Sequence, residues 1–132
     1  MIVVDASVMA NLVGDDGQAG KTARTRLAGE AHLAGPDLID VETVSVLRKR
    51  WQAGDLTARR FRAAVDDLLT LPMDRFPTGP LMIRAYELRS NVTPYDAAYV
   101  ALAESLGYPL LTADARLAQA PGIRCTVELL RV

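Results

Sequence analysis

Cysteine and histidine are almost absent from this sequence of 132 residues, which contains one of each, Cys125 and His32. A lone cysteine cannot form an internal disulfide, and one histidine leaves no cluster with the spacing of zinc ligands. A disulfide framework and a cysteine–histidine zinc site are therefore excluded. The scarcity of cysteine also favours a reducing, cytoplasmic setting.

Long apolar runs and an excess of charge of one sign are missing as well. No uninterrupted apolar stretch approaches the roughly 18 residues that a membrane-spanning helix needs, and the N-terminus has no basic region of the kind that opens a secretory signal. We therefore expect neither membrane insertion nor secretion. The formal net charge is −1, so only local basic patches bear on nucleic-acid binding.

Apolar residues, in contrast, make up 50% of the chain, which is enough to bury a substantial core as one domain over residues 1–132. Strand-like and helix-like segments alternate, with glycine and proline between them. Strands are predicted near 2–4, 31–34, 73–76, 109–111 and within 123–131, and helices near 7–13, 17–29, 37–53, 57–70, 79–90, 94–106 and 114–119. This order predicts an α/β fold with a central, mainly parallel sheet of about four or five short strands flanked by helices.

Two acidic residues lie where predicted strands end. Asp5 directly follows the apolar run 2–4, and Ser7 comes two residues later. Thr112 and Asp114 follow another apolar run in the same way. Each of these side chains could simply cap the helix that comes after it. Because the carboxyl ends of parallel strands lie along one edge of a sheet, we also expect the two acids to meet there, in loops of the kind that carry chemistry.

The predicted helix 37–53 carries a third acid, Glu42. Apolar residues recur in this helix at intervals of three and four and predict one buried stripe, formed by Leu38, Val41, Val44, Leu47 and Trp51. Glu42 lies beside the stripe, where an unpaired charge is costly unless a cation compensates it. The alternative is a surface glutamate paired with Lys49 or Arg50.

The fourth acid, Asp96, lies in the first turn of the predicted helix 94–106. Thr93 is suited to be its N-cap, Pro94 fits the first helical position, and Asp96 at the third could complete a capping box. The packed face of the helix is predicted to comprise Tyr95, Ala98, Tyr99, Leu102, Ala103 and Leu106. Capping alone would explain Asp96, but the positive end of a helix also keeps a first-turn aspartate ionised, with oxygens left for a metal.

Together, Asp5, Glu42, Asp96 and Asp114 predict a divalent-metal site. Two unit charges 4 Å apart repel by roughly 4 kcal/mol at an effective dielectric constant near 20, and Mg²⁺ or Mn²⁺ would relieve that repulsion. Mg²⁺ prefers six oxygen ligands, commonly one or two carboxylates with waters and phosphate oxygens, so a phosphodiester is the matching substrate. Such an ion lowers the pKa of a bound water and orients it for in-line attack.

Four segments resemble the PIN-domain ribonucleases. They are the strand and acid at Ile2-Val3-Val4-Asp5-Ala6-Ser7, Glu42 in the third helix, Thr93-Pro94-Tyr95-Asp96-Ala97-Ala98-Tyr99 with the four residues that follow, and Leu111-Thr112-Ala113-Asp114-Ala115-Arg116-Leu117. The resemblance spans almost the whole chain, and its third segment is the most specific part. The size is similar to that of the stand-alone VapC toxins of bacterial toxin–antitoxin pairs rather than the larger eukaryotic PIN nucleases.

This resemblance implies a Mg²⁺- or Mn²⁺-dependent endoribonuclease. Asp5 and Asp96 match the usual direct metal ligands, and Glu42 and Asp114 complete an acidic quartet. Two hydroxyl residues match supporting positions, Ser7 and Thr112. The resemblance further implies inhibition by a VapB-like antitoxin, whose C-terminal segment would lie across the groove, and a homodimer built from the early helices.

Basic residues form two clusters that could guide RNA phosphates toward the acids, namely Arg48, Lys49 and Arg50, and Arg59, Arg60 and Arg62. Contacts of this kind weaken as salt increases. Arg116, beside Asp114, is another possible phosphate contact. The alternative for the clusters is a solvated helical face from which Trp51 and Phe61 pack inward.

Two other functions fit parts of the pattern. In a Mg²⁺-dependent phosphatase or phosphoacceptor domain, a strand-end aspartate attacks phosphorus. However, the segment after Asp5 lacks the second aspartate of haloacid-dehalogenase-like phosphatases, and neither of the two lysines, Lys21 and Lys49, is placed as a receiver-like domain would need. The other alternative is a non-catalytic PIN-like binding module whose acids act as caps or as contacts for antitoxin arginines.

Overall fold

Five short strands form one sheet at the centre of the molecule. The structure, a computed structural model, describes residues 1–131. The strands are β1 (Ile2–Val4), β2 (Leu33–Pro36), β3 (Asp74–Phe76), β4 (Leu110–Thr112) and β5 (Val127–Leu129). They lie in the order β3-β2-β1-β4-β5, and every neighbouring pair is parallel. The predicted α/β class is confirmed, and the sheet is parallel throughout.

Seven α-helices accompany the strands within residues 1–131. They are α1 (Ala6–Gly14), α2 (Gln18–Leu27), α3 (Ile39–Gln52), α4 (Ala58–Thr70), α5 (Met82–Glu87), α6 (Pro94–Leu106) and α7 (Ala115–Ala118). The predicted helix 79–90 is shorter than expected, because it opens with a 3-10 turn over Gly79–Leu81 and its α-helical part ends at Glu87. Pro80 lies inside that turn, where its missing N–H is tolerated. Over the same residues, no helix is both long and apolar enough to cross a bilayer.

The inner strands are buried on both faces. Ile2, Val3 and Val4 of β1 are fully buried, and so are Leu110 and Leu111 of β4. Because successive side chains of a strand point to opposite faces, this burial requires helices on both sides of the sheet. Among the helices, α6 packs against β1 and β2, whereas α1 packs against α2, α3 and α4 and also contacts β4.

The buried face of α3 differs from the predicted stripe. Ile39, Thr43 and Leu47 are buried, whereas Val41 is 74% exposed and Trp51 is 45% exposed. The reason is that apolar residues occur on several faces of α3, so their spacing does not select one face, and packing against α1 and α4 makes the choice. The prediction for α6 is wrong only at its start.

The predicted packed face of α6 is wrong only at Tyr95, of which 62% is exposed. The rest of the predicted face of α6 packs into the protein: every residue from Ala97 to Ala103 is buried. A helix that is buried on nearly all sides lies inside the fold and not on its surface. The first turn of α6 therefore emerges from the core at Tyr95 and Asp96.

The order of the strands reverses between β1 and β4. The chain runs from β1 to β2 and β3 on one side, then returns to place β4 and β5 on the other side of β1. Val3 is in register with Leu110, and Val4 with Leu111, so β1 and β4 end side by side. In parallel α/β sheets, a crevice opens at the carboxyl ends of the strands where the order reverses. The segments that follow β1 and β4 therefore begin side by side at this edge of the sheet.

Candidate active site

Asp5 lies at the end of β1 and forms the centre of the site. Its backbone is the N-cap of α1, but its side chain makes no capping hydrogen bond. Instead, Oδ2 accepts hydrogen bonds from the Ser7 hydroxyl at 2.9 Å and the Thr112 hydroxyl at 2.7 Å. The alternative in which Asp5 merely caps α1 is therefore wrong for its side chain, which crosses from β1 to the end of β4.

The two hydroxyls that hold Asp5 are themselves held by the segment after β4. Ser7 Oγ accepts a hydrogen bond from the Ala113 amide at 3.1 Å, and Thr112 Oγ1 accepts one from the Asp114 amide at 3.0 Å. Each hydroxyl therefore donates to the carboxylate and accepts from the backbone, which fixes its orientation. This network joins the carboxyl ends of β1 and β4 and leaves one oxygen of Asp5, Oδ1, outside the hydroxyl pair.

Asp114 has two roles, because it caps α7 and also lies in the candidate site. It is the N-cap of α7, and its Oδ1 accepts a hydrogen bond from the Arg116 amide at 2.9 Å. The guanidinium of Arg116 approaches the same oxygen, with Nε at 3.8 Å, but the Arg116 side chain is 95% exposed. The capping role suggested by the sequence is therefore real for one oxygen of Asp114, and the charge of Arg116 remains open to a ligand in solution.

Asp96 lies in the first turn of α6, as predicted. Its amide donates to Thr93 Oγ1 at 3.2 Å, which makes Thr93 the side-chain cap of the helix. The Asp96 carboxylate is half-buried and borders a cavity of about 220 Å³. That cavity is lined by Asn91, Val92, Thr93, Asp96, Asp114, Arg116 and Leu117.

Glu42, in the first turn of α3, has a partner that the sequence did not suggest. Its Oε1 accepts a hydrogen bond from the phenol of Tyr99 at 2.7 Å. Neither Lys49 nor Arg50 pairs with it, and Arg50 instead donates to the side-chain oxygen of Asn11 at 2.7 Å. The predicted alternative of a surface ion pair for Glu42 is therefore wrong.

The structure brings the four acids within electrostatic reach of one another. Burial raises the pKa of Asp5, an effect that the hydroxyl hydrogen bonds oppose and the charge of Asp114 reinforces. Burial also raises the pKa of Glu42, and the charges of Asp5 and Asp96 add to it. The pKa of Asp96 is raised by burial first and then by the charges of Asp5 and Asp114. Neighbouring negative charges therefore disfavour ionisation of Asp5, Glu42 and Asp96, so the site would attract a cation.

The donor set suits an ion that keeps part of its water shell. All four side chains offer carboxylate oxygens, which hard cations such as Mg²⁺ prefer. Within residues 1–131, however, no three acidic, histidine or cysteine side chains are arranged so that they alone could hold an ion. A cage made only of protein ligands is therefore not what these residues offer. Mg²⁺ typically binds to one or two carboxylates and completes its shell with waters and phosphate oxygens, and the residues fit that mode.

Some side chains of the two basic clusters are exposed, and others already bind side chains of the protein. Arg48 and Lys49 are exposed at the end of α3. Arg50 is tied to α1 through Asn11, and Arg60 forms an ion pair with Asp16 at 2.9 Å. A larger cavity of about 810 Å³ lies beside Arg50 and Arg60, but none of the four acids lines it. The inward packing of Trp51 suggested by the sequence is wrong, since 45% of this residue is exposed.

Tyr99, which donates to Glu42, was predicted only as a packing residue of α6 with no polar role. The sequence did contain a signal: a tyrosine lies among small and aliphatic residues in the buried part of α6, three positions after Asp96. A buried phenol usually finds a hydrogen-bond partner. The identity of that partner depends on how α3 packs near α6, which the spacing of residues within one helix does not reveal.

Comparison with known proteins shows the family of the chain. Residues 2–123 match the PIN domain family, to which the chain therefore belongs. Over 130 residues it is 40% identical to Ribonuclease VapC1 of Mycobacterium tuberculosis, with 98% of this chain and 97% of that protein covered. Within the PIN domain family, the chain thus belongs with the VapC proteins.

Two crystal structures show the same fold. One is that of Mycobacterium tuberculosis VapC20, described as a sarcin-ricin loop cleaving toxin, with a TM-score of 0.73, 20% identity, and coverage of 94% of this chain and 97% of that chain. The other is that of VapBC2 from Rickettsia felis bound to a DNA fragment from their promoter, with a TM-score of 0.69, 13% identity, and coverage of 99% and 100%. At these identities the likeness concerns the fold alone.

Proposed function

We propose that this chain is a Mg²⁺- or Mn²⁺-dependent endoribonuclease that acts in the cytoplasm as the VapC-like toxin of a toxin–antitoxin pair. The observation that supports the proposal is that charges within the set Asp5, Glu42, Asp96 and Asp114 act on one another, with the pKa of three of these acids raised. RNA as the substrate is supported by the ribonuclease name of VapC1 and by the description of VapC20.

The acids divide the work of holding an ion. Asp5 and Asp96 would bind it directly, and Glu42 and Asp114 would orient its waters. When bound, the ion would offset the charge of the acids and of the phosphate and would lower the pKa of a water. Ser7 and Thr112 hold Oδ2 of Asp5, so that Oδ1 is presented in a fixed direction.

RNA would approach from the exposed side of the acids. The cavity that Asp96 and Asp114 share with Arg116 opens beside the proposed ion and can receive part of a nucleotide next to the cleaved phosphate. Arg116 is positioned to bind a neighbouring phosphate, and Arg48 and Lys49 are exposed farther along α3. Arg50 is a weaker candidate because its guanidinium already binds Asn11.

The proposed partners are a VapB-like antitoxin and a second copy of the chain. The shared fold with VapBC2 supports the antitoxin, whose C-terminal segment would cross the groove over the acids. The homodimer built from the early helices stays a prediction, and sedimentation of the purified protein would test it. The phosphatase alternative is not favoured by the family match, whereas a non-catalytic PIN-like binding module remains the competing proposal.

The test is cleavage of purified transfer, ribosomal and messenger RNA with Mn²⁺ or with a chelator. We expect cleavage only with the metal, and a loss of roughly a hundredfold or more in Asp96→Asn, because removal of a metal-binding group usually costs that much or more. Asp66→Asn, which removes an exposed carboxylate of α4 that pairs only weakly with Arg62, is the matched control and should cleave normally.

Two other results would contradict the proposed nuclease function. Cleavage that persists in Asp96→Asn or in the chelator would show that these acids are not the nuclease site. Binding of RNA without any cleavage in Mn²⁺ would favour the non-catalytic module. Circular dichroism of Asp96→Asn is needed alongside, because a loss of fold would also abolish activity.

A further inference from the structure

Tyr99 links the two helices that carry Glu42 and Asp96. It is fully buried, and its phenol on α6 donates to Oε1 of Glu42 on α3 at 2.7 Å. Tyr99 follows Asp96 by three residues on α6, so the two side chains lie on neighbouring parts of the same helical face. The hydrogen bond therefore fixes the carboxylate of Glu42 relative to the turn that presents Asp96.

We propose that Tyr99 is a positioning residue that holds the Glu42 carboxylate in the acidic site, ready for the metal and its waters. This inference rests on the proposed function and extends it to a buried residue that would touch neither metal nor RNA. It assigns the buried phenol a role that packing alone would not require.

Electrostatic repulsion explains why Glu42 needs such a holder. The negative charges of Asp5 and Asp96 both act on Glu42 in the metal-free protein. Glu42 is only half-buried, so its flexible side chain could rotate toward solvent and away from these charges. A hydrogen bond from an uncharged donor opposes that movement. Glu42 would otherwise have to be reoriented each time an ion binds.

The geometry of Tyr99 suits this role. The residues around it on α6, from Ala97 to Ala103, are all buried, so the ring cannot follow Glu42 toward the surface. Asp5 is held in a comparable way by the hydroxyls of Ser7 and Thr112. Groups that orient metal-binding side chains commonly contribute 10- to 100-fold to metal affinity or activity.

Tyr99→Phe is the informative variant because it keeps the ring and removes only the hydroxyl. We expect its affinity for Mn²⁺, measured by isothermal titration calorimetry, to fall by about tenfold. We also expect kcat to fall while KM for RNA stays within about twofold, since the buried phenol does not reach the substrate. Tyr108→Phe is the matched control: its hydroxyl donates to Met1 Sδ at 3.0 Å, and its loss should change neither quantity.

A double-mutant cycle separates positioning from packing. Glu42→Ala removes the acceptor, so adding Tyr99→Phe to it should weaken Mn²⁺ binding by less than about twofold more. Independent, multiplicative losses in the double variant would mean that Tyr99 acts by packing, and they would overturn the inference. Unchanged Mn²⁺ affinity in Tyr99→Phe would also overturn it, whereas the proposed function would stand if the unmodified protein still binds Mn²⁺ and cleaves RNA.

A spectroscopic measurement covers the case in which Tyr99→Phe does not fold. The hydroxyl proton of Tyr99 should exchange slowly with water and give a resolved NMR signal in the metal-free protein, and Glu42→Ala should abolish or shift that signal. A signal that is insensitive to Glu42→Ala would overturn the inference. If the unmodified protein binds no Mn²⁺ at all, the proposed function fails, and the role of Tyr99 fails with it.

Discussion

Two threonines, Thr43 and Thr112, are fully buried in different surroundings. Thr112 donates to Asp5 and accepts from the Asp114 amide, whereas Thr43 Oγ1 is the one buried side-chain oxygen or nitrogen without a hydrogen-bond partner in residues 1–131. Leaving a buried hydroxyl unsatisfied costs about 1–3 kcal/mol. The same side chain therefore has opposite energetic consequences at the two positions.

We predict that Thr43→Val raises the free energy of unfolding by about 1 kcal/mol, because valine has the same shape and no polar group to desolvate. Thr112→Val should lower it by about 1–3 kcal/mol, since the Asp114 amide and the Asp5 carboxylate would each lose a partner. Urea denaturation of both variants with a chelator present measures the two changes. Destabilisation by Thr43→Val would mean that its hydroxyl has a partner in solution, such as a buried water.

Asp5→Asn should abolish cleavage and yet leave the metal-free protein at least as stable as the parent at neutral pH. Burial raises the pKa of Asp5, so its ionised form is disfavoured in the folded state, and asparagine removes that charge while its oxygen can still accept from Ser7 and Thr112. Thermal melting in a chelator is the measurement. A large fall in melting temperature would indicate that the carboxylate has an essential structural role.

Arg116 allows a prediction about RNA binding. Its side chain is 95% exposed and borders the cavity shared by Asp96 and Asp114. Arg116→Ala should raise KM for RNA by several fold and make binding less sensitive to salt by about one phosphate contact, with kcat less affected. Lys21→Ala, which removes an exposed positive charge from α2, is the control. Equal effects of the two substitutions would mean that only overall charge matters.

At the scale of the elements, the end of α6 depends on one glycine. Gly107 has φ of +70° and ψ of +30°, a left-handed conformation that glycine adopts readily and alanine does not. A Cβ at this position would meet nothing within 4 Å, so substitution introduces backbone strain without a clash. A substitution at Gly107 therefore measures the cost of forcing a residue with a side chain into the left-handed conformation that ends the helix.

Gly107→Ala should lower the free energy of unfolding by about 1 kcal/mol. Gly29→Ala is the matched control, because a Cβ there also meets nothing and the backbone has no positive φ. That substitution should be neutral or slightly stabilising. Chemical denaturation of the two variants gives the comparison, and equal losses would show that the left-handed conformation is not what matters.

Most elements could be predicted because their ends carry strong local signals. Thr93, Pro94 and Gly107 mark both ends of α6, and the structure places the helix between them. The buried face of α3 was predicted only in part: Leu47 is buried as expected, but Val41 is exposed and Thr43 is buried. Several faces of α3 carry apolar residues, and only the neighbouring helices decide which one packs. The residues that mark the ends of a helix act locally in the sequence. The choice of its buried face depends instead on the elements that pack against it.

At the scale of the whole molecule, the candidate site was partly predictable for a topological reason. Asp5 and Asp114 each follow a buried strand, and parallel strands share a carboxyl edge. The sequence does not reveal that β1 and β4 are adjacent and lie where the strand order reverses, which is what places Asp5 and Asp114 at neighbouring strand ends. Nor does it reveal the contact of Tyr99 with Glu42, which depends on how α3 packs near α6.

The electrostatics of the site should be visible in the stability of the whole protein. Asp5, Glu42 and Asp96 have pKa values that are raised in the folded state. Between its ordinary pKa near 4 and its raised value, such a group binds more protons folded than unfolded, so stability falls as pH rises through that range. Carboxyl groups in ion pairs act in the opposite sense: the pKa of Glu30 and that of Glu128 are lowered.

These two groups of acids predict a maximum in the stability of the metal-free protein. Stability should rise with pH up to about 4, as the paired carboxylates ionise, and should then decline as the three acids of the site ionise. Mn²⁺ binds their ionised forms, so its stabilising effect should grow over the same range in which the metal-free protein weakens. Urea denaturation at several pH values between about 2 and 8, with Mn²⁺ or with a chelator, measures both curves. Asp96→Asn should flatten the decline and reduce the effect of Mn²⁺, whereas metal-free stability that increases throughout this range would mean that the acids do not repel one another in the folded protein.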